Sequence, residues 1–332
     1  MKKKRLLADV TQIFLEELKK DNSDCDISVL VDSKLRQLSA LKINQPQQIN
    51  KLFTLSALIP PLIEKMKKNY LAVKENKVFP HILSGFNQLD RILGGLQPGL
   101  YLLGAPPGIG KTTFALQIAK YVSQSGHTSL FCSYEETLDK LALKCLCSCE
   151  KLDIKRFQDY LSSPEGLENA ASKHIDLLKN LYLYQATIKT SINEIKEKVL
   201  HIFNETKLKK CLIIIDYLQR ASPIANNQTD NRYAIDQFIG ELRDLSIEID
   251  SPILVISAQN RHGVGSGILQ SFKESSGIEY GADVCMFLCE DSQRMVEPPA
   301  RPLSLVIAKN RFGDIGRISL TFHPQIARFN EK

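Results

Sequence analysis

From Phe79 onward, short runs of consecutive apolar residues alternate with longer stretches whose apolar residues recur every three or four positions. That is the pattern of a parallel sheet covered by helices: a strand buried on both faces has no polar side, whereas a covering helix keeps one. The runs predict strands at Leu100 to Leu103, Ser129 to Ser133, Leu181 to Tyr184, Cys211 to Asp216, Ile253 to Ser257 and Val284 to Leu288. Two more are predicted at Leu303 to Lys309 and Arg317 to Phe322, joined by Phe312-Gly313-Asp314 as a hairpin turn. A helix is predicted from Lys111 to Ser125, closed by Gly126, and the capping box Ser191-Ile192-Asn193-Glu194 opens another.

Ahead of this α/β pattern the signal is helical. Val10, Ile13, Phe14 and Leu18 recur at helical spacing between Ala8 and Lys19, and the polar stretch Asp21 to Asp26 ends that helix. Pro46 among amides marks Asn44 to Gln48 as a loop, and Pro60-Pro61 is expected to open a basic amphipathic helix running to about Glu75. The predicted organisation is therefore a short helical N-terminal region over 1–56, a connector helix within 57–80 and an α/β core over 81–332.

Composition narrows the class. With 332 residues, 43% hydrophobic and 24% charged, the chain reads as soluble and globular rather than disordered or fibrous. Its longest apolar runs fall far short of the roughly 20 residues that cross a bilayer. The opening Met1-Lys2-Lys3-Lys4-Arg5 has the charge of a signal peptide, but Asp9 and Gln12 interrupt the apolar stretch behind it, so a cytoplasmic protein with no membrane partner is expected. The eight cysteines are expected to be free thiols, several lying inside apolar runs. Cys145, Cys147 and Cys149 alternate, yet on one helix they cannot all face one metal ion. The net charge of +6 fits contact with a polyanion without requiring it.

The sharpest chemical signal follows the first predicted strand. Gly104-Ala105-Pro106-Pro107-Gly108-Ile109-Gly110-Lys111-Thr112-Thr113 runs from that strand directly into a helix. This is the strand–loop–helix setting of a P-loop, in which Gly108, Ile109, Gly110 and the residues after them turn main-chain N–H groups onto phosphate oxygens at a helix N-terminus. Lys111 is expected to reach the β- and γ-phosphates of ATP and the Thr112 hydroxyl to ligate Mg²⁺, with Thr113 beside it. Ala105 stands where such loops usually begin with glycine. The carboxylate such a site needs opposite Thr112 is expected from Asp216, at the end of the apolar strand Leu212-Ile213-Ile214-Ile215. Hydrolysis also needs a group that orients and deprotonates water. Glu135 and Glu136, just after the second strand, both qualify; Glu136 is equally suited to opening the helix that follows.

Several stretches resemble a known family. Ser84-Gly85-Phe86, Leu89-Asp90, Gly94-Gly95-Leu96 and Pro98-Gly99 resemble the entry to the RecA-like core of DnaB-type replicative helicases and their RadA relatives, and Asp216-Tyr217-Leu218-Gln219 resembles the DnaB form of that core most closely. Asn231-Arg232, Ser257 with Asn260-Arg261, Gly277-Ile278-Glu279, Ala282-Asp283 and Ile307-Ala308-Lys309-Asn310-Arg311 continue the match in order over roughly residues 57 to 330. The resemblance implies a RecA-like P-loop NTPase core with a mostly parallel sheet. It implies a hexameric ring around single-stranded DNA, ATP bound between subunits, and 5′ to 3′ movement. It favours Glu135 as catalytic base and gives Lys309 and Arg311 the place of the basic pair that reaches a neighbour's γ-phosphate. Two apart on a strand, those two would point the same way. The segment Arg261-His262-Gly263-Val264-Gly265-Ser266-Gly267 takes the place of a DNA-contacting loop, with Arg261, Lys273 and the main chain at Gly263 and Gly265 as phosphate contacts; a plain surface loop is the other reading.

The chain departs from the family in having Ala258, then Gln259, where the family often has glutamine directly after the strand serine, and in residues 1–56, which do not match the family's primase-binding domain. A helicase in DNA replication, with a loader or other replication proteins as partners, is the leading reading. A RadA-like recombination ATPase and a nucleotide-gated accessory protein are the alternatives.

Overall fold

A computed structural model describes residues 54–74, 81–154, 164–218, 228–258 and 281–332. The predicted helix within 1–56 and the glycine-bearing segment with Arg261, Gly263, Gly265 and Lys273 lie outside the described residues.

Nine strands form one sheet: β1 (Gly99–Ala105), β2 (Thr128–Ser133), β3 (Leu181–Gln185), β4 (Cys211–Asp216), β5 (Pro252–Ala258), β6 (Val284–Glu290), β7 (Arg301–Asn310), β8 (Gly316–His323) and β9 (Arg328–Glu331). Their order is β3-β2-β4-β5-β1-β6-β7-β8-β9. The strands from β3 to β6 pair in parallel, and β7, β8 and β9 continue the sheet antiparallel. Each predicted strand is present, most of them longer by one or two residues. Strand β9 has no counterpart in the predicted elements, because Arg-Phe-Asn-Glu shows no apolar run of its own.

The described helices are α1 (Leu55–Lys74), α2 (Asn87–Leu93), α3 (Lys111–Gln124), α4 (Leu138–Glu150), α5 (Pro164–Leu178), α6 (Ile192–Thr206) and α7 (Gln228–Glu248). One face of the sheet, with Tyr101, Leu103, Phe131, Ile214 and Ile256, packs on Phe114, Ile118 and Val122 of α3 and Leu141 of α4. The other face, with Leu100, Leu102, Ile213, Ile215 and Val255, packs on Ile195, Val199 and Ile202 of α6 and Leu242 and Leu245 of α7. Period-two strands thus feed two cores, which is why their sequences read as unbroken apolar runs.

Local chemistry explains the element ends. The Ser191 hydroxyl caps α6 by accepting from Glu194 N at 3.1 Å, while the Glu194 carboxylate accepts from Tyr184 Oη rather than completing the box. Helix α2 is capped from the far end of the chain: Glu331 Oε1 accepts from Gln88 N at 2.9 Å and from Leu89 N at 3.4 Å. Helix α1 begins at Leu55, five residues ahead of the predicted opening, with Pro60 and Pro61 inside it. Proline suits a first helical position but can stand further in where exposed carbonyls one turn back turn to solvent, and Ser56 and Ala57 are exposed. Along α1, Leu55, Leu58, Ile59, Leu62, Ile63 and Met66 are exposed, at the spacing of one helical face. Among the described residues no helix is long and apolar enough to cross a membrane.

Candidate functional site

The parallel strands all run the same way, so the segments that leave their carboxyl ends share one edge of the sheet. Register places Ala105 of β1 opposite Ala258 of β5, and Ser133 of β2 opposite Asp216 of β4. The P-loop, the Ser133–Glu136 turn and Asp216 therefore converge.

The loop from Pro106 to Gly110 enters α3 at Lys111, with the first helical bond from Phe114 N to Gly110 O at 2.9 Å. Gly108 (φ +76°) and Gly110 (φ +103°) adopt left-handed backbone conformations, and a Cβ at Gly110 would meet Phe329 Cζ at 3.0 Å and Phe322 Cε1 at 3.1 Å. Both are positions for glycine alone. Ile109 and Thr113 are buried, anchoring the loop in the core. The Lys111 ammonium donates to the Ala105 carbonyl at 2.8 Å and the Pro106 carbonyl at 3.0 Å, across the mouth of the loop. Burial lowers its pKa, and the Asp216 and Glu135 carboxylates oppose that shift. A further contact comes from β7: Arg301 Nη1 donates to the Gly108 carbonyl at 3.0 Å while its Nη2 holds Glu290 at 2.9 Å.

Asp216 is 2% exposed. Burial pushes its carboxyl up to about 6, and the Thr112 hydroxyl, hydrogen-bonded to it, pulls the other way. Its Oδ2 is buried and accepts no hydrogen bond among the described residues. An ionised, buried oxygen without a donor is costly unless a cation sits on it. The paired Thr112 hydroxyl and Asp216 carboxylate are hard oxygen donors of the kind magnesium takes, so these residues fit a magnesium–nucleotide group.

The two glutamates after β2 are separated by their contacts. Glu136 is clamped: Lys144 Nζ of α4 donates to Oε1 at 2.5 Å and Oε2 at 2.7 Å. Its main chain is clamped as well, for Ser133 Oγ accepts from Glu136 N at 3.1 Å and donates to Glu136 O at 2.6 Å. Tyr134 N donates to Asp216 O at 2.8 Å, tying the same turn to β4. Glu135 lies between these fixed points and is exposed.

The remaining predicted pair lies elsewhere. Strand β7 runs antiparallel to β6, with Asn310 opposite Val284, so Lys309 and Arg311 lie at the amino ends of the parallel strands. Arg311 stands beyond the last residue of β7, in the turn before β8. Strand alternation therefore does not align it with Lys309. It is held by Asp283, whose Oδ1 accepts from Arg311 Nη1 at 3.2 Å. Since β1 lies between the two edges and a strand rises about 3.3 Å per residue, roughly 16 Å of sheet separates Arg311 from the P-loop of its own chain.

The profile of the family described as DnaB-like helicase C terminal domain matches residues 81–331. The chain belongs to this family. Among its relatives, the replicative DNA helicase DnaB of Pasteurella multocida is 28% identical over 265 residues, which is 75% of this chain and 55% of that protein. The replicative DNA helicase DnaC of Bacillus subtilis is 27% identical over 256 residues, 75% of this chain and 56% of that protein. The chain thus spans little more than half the length of these curated relatives. Two solved structures share the fold. One, an ATPase domain, superposes with a TM-score of 0.72 at 22% identity, covering 84% of this chain and 99% of that one. The other, a DnaB-like replicative helicase described together with its interactions with primase, superposes with a TM-score of 0.69 at 20% identity, covering 98% and 76%. The RecA-like α/β fold with its mostly parallel sheet is that of DnaB-like ATPase domains.

Within this DnaB-like domain, Lys144, Asp283 and Arg301 are the residues that sequence reasoning missed as site residues. Glu136 lies in a turn and Lys144 on the next helix, so no periodicity links them, and Arg301 is 193 positions from Gly108. Asp283 carried a faint signal, as a carboxylate directly before an apolar run.

Proposed function

We propose that this chain is an ATP-driven, ring-forming helicase motor that moves on single-stranded DNA during DNA replication and hydrolyses ATP between subunits. The observation that carries the proposal is the division of the nucleotide site. One edge of the sheet holds the P-loop with Asp216 and Glu135; the other holds Lys309 and Arg311, out of reach of the first. A complete site then needs two copies joined head to tail, and six such copies close a ring. The exposed apolar face of α1 also supports assembly, since a stripe of that length is commonly covered by protein.

In this reading the main-chain N–H groups from Gly108 to Thr113 and the Lys111 ammonium hold the phosphates, and Thr112 and Asp216 hold Mg²⁺. The bound ion supplies charge neutralisation at the phosphates. Glu135 orients the attacking water and accepts its proton, while Arg311, with Lys309, steadies the charge that develops on a neighbour's γ-phosphate. Arg261, Gly263, Gly265 and Lys273 supply the DNA contacts. The likeness to replicative helicases supports a cytoplasmic setting and replication proteins as partners.

A second reading, a nucleotide-gated accessory protein that does not unwind DNA, has one observation in its favour. β5 runs in unbroken register through Ala258, opposite Ala105, so alanine rather than glutamine follows the strand serine beside the P-loop strand. ATP hydrolysis with and without single-stranded DNA decides between them. The motor reading expects DNA stimulation that Lys111→Ala, Glu135→Gln and Arg311→Ala each abolish, with partial recovery when Arg311→Ala and Glu135→Gln subunits are mixed. Slow turnover indifferent to DNA refutes the motor and supports the accessory protein.

A further inference from the structure

Arg311 is a long side chain on a turn, 42% exposed. Free in solvent, such a chain samples many rotamers, and fixing it costs side-chain entropy. A group that acts across a subunit boundary acts best when it is already aimed, so what aims Arg311 matters.

Asp283, immediately ahead of β6, makes contacts in three directions. Its N–H donates to Leu100 O at 2.8 Å and its Oδ2 accepts from Leu100 N at 3.0 Å, fixing it to the first residues of β1. Its carbonyl accepts from Arg311 N at 2.9 Å and its Oδ1 from Arg311 Nη1 at 3.2 Å, so one residue grips both the main chain and the guanidinium of Arg311. The same Oδ1 accepts from Arg243 Nη2 of α7 at 3.1 Å. The turn is rigid around this grip. The Phe312 ring packs on Tyr101 with centroids 6.0 Å apart, and Phe312 N donates to Asn310 Oδ1 at 2.9 Å. A Cβ at Gly99 would stand 2.8 Å from Phe312 Cζ and 3.1 Å from Asp283 Oδ2, so glycine keeps the space open.

Two guanidiniums, those of Arg243 and Arg311, face this one carboxylate. Asp283 itself is 6% exposed, and a buried carboxylate is tolerable only when cations and N–H groups surround it, as here.

The geometry points to Asp283 as the positioning residue that aims Arg311 at the neighbouring subunit's nucleotide, with Arg243 bracing the carboxylate oxygen that both arginines share. Neither residue touches the nucleotide held by its own subunit. The inference rests on the reading of Arg311 as a group that acts in trans.

Subunit mixing tests it. Asp283→Asn is expected to lower DNA-stimulated kcat by about 10- to 100-fold, the range for a reacting group displaced by about 1 Å, with KM for ATP changed by less than about threefold. Mixed with Glu135→Gln subunits, which still carry a correctly aimed Arg311, Asp283→Asn subunits recover turnover; mixed with Arg311→Ala subunits they do not. Recovery with Arg311→Ala subunits instead places the defect in the subunit's own P-loop and overturns the inference. Faster turnover in Asp283→Asn also overturns it, since Asp283 would then restrain Arg311 rather than aim it. Arg243→Met is the second variant, at a side chain 39% exposed that should fold whether or not Asp283→Asn does. It is expected to show the same trans-only pattern with a smaller loss, and unchanged turnover overturns its part. The underlying reading fails separately, if Arg311→Ala alone keeps full activity.

Discussion

Replacing Asp216 with asparagine should abolish hydrolysis yet make the nucleotide-free protein more stable at alkaline pH. The carboxyl is 2% exposed, and burial raises its pKa from 3.8 to about 6. Below pH 3.8 it is protonated in the folded and unfolded chain alike and contributes nothing. Between about pH 4 and pH 6 the unfolded chain ionises first, and above pH 6 the folded protein carries the full penalty of a buried charge. A shift of about two pKa units at 1.36 kcal/mol each makes that penalty about 3 kcal/mol. Asp216→Asn removes it, offset in part by the amide's need for an acceptor, so a gain of about 1 to 3 kcal/mol is expected at pH 8. The assay is urea unfolding of both proteins in a chelating buffer without nucleotide, where no bound cation can neutralise the carboxylate, at several values between pH 8 and pH 5. The gain should shrink as the pH falls toward 5. With magnesium and ATP added, the wild type should gain stability and the variant should not. A variant less stable at pH 8 without nucleotide, or a difference that ignores pH, refutes the reasoning.

Three further outcomes follow from contacts at the site and behind it. Lys144→Met frees Glu136 and should lower kcat about tenfold through misplacement of the Glu135 turn, with little change in KM; exchanging the charges, as Lys144→Glu with Glu136→Lys, should restore part of the rate, and steady-state kinetics of the single and double variants read this. Gly110→Ala places a methyl group against Phe322 and Phe329 in a left-handed backbone position; equilibrium binding of a fluorescent ATP analogue should fall at least tenfold, alongside a loss of about 1 to 3 kcal/mol in chemical unfolding. Phe329→Ala removes a ring stacked 4.3 Å from Phe322 and edge-on at 5.2 Å from Phe114, and calorimetric or urea unfolding should show about 3 to 5 kcal/mol lost.

The sequence by itself determined everything that depends on neighbours along the chain. Strands buried on both faces must be apolar throughout, so the runs at Leu100, Cys211 and Val284 announced themselves. A P-loop is one continuous strand–loop–helix, so the turn at Gly108 and Gly110 and the helix that opens at Lys111 were legible. The place of Asp216 was legible because an apolar run closes on it at the end of β4. Tertiary structure decided what depends on pairings across the chain. The helix cap that Glu331 supplies to α2 and the clamp that Lys144 puts on Glu136 join segments that no local pattern connects. Strand β9 is too short and polar to signal itself; it exists because the edge of β8 offers it unpaired hydrogen-bonding groups and Phe329 finds a place among aromatic rings. Lys309 and Arg311 were named from a motif, but only the antiparallel turn of β7 at the sheet's far edge set them beyond reach of their own P-loop. The physical reason is common to all of these. Periodicity and turn chemistry are local, whereas charge pairing, desolvation and the direction in which a side chain is offered are set by what the fold brings beside it.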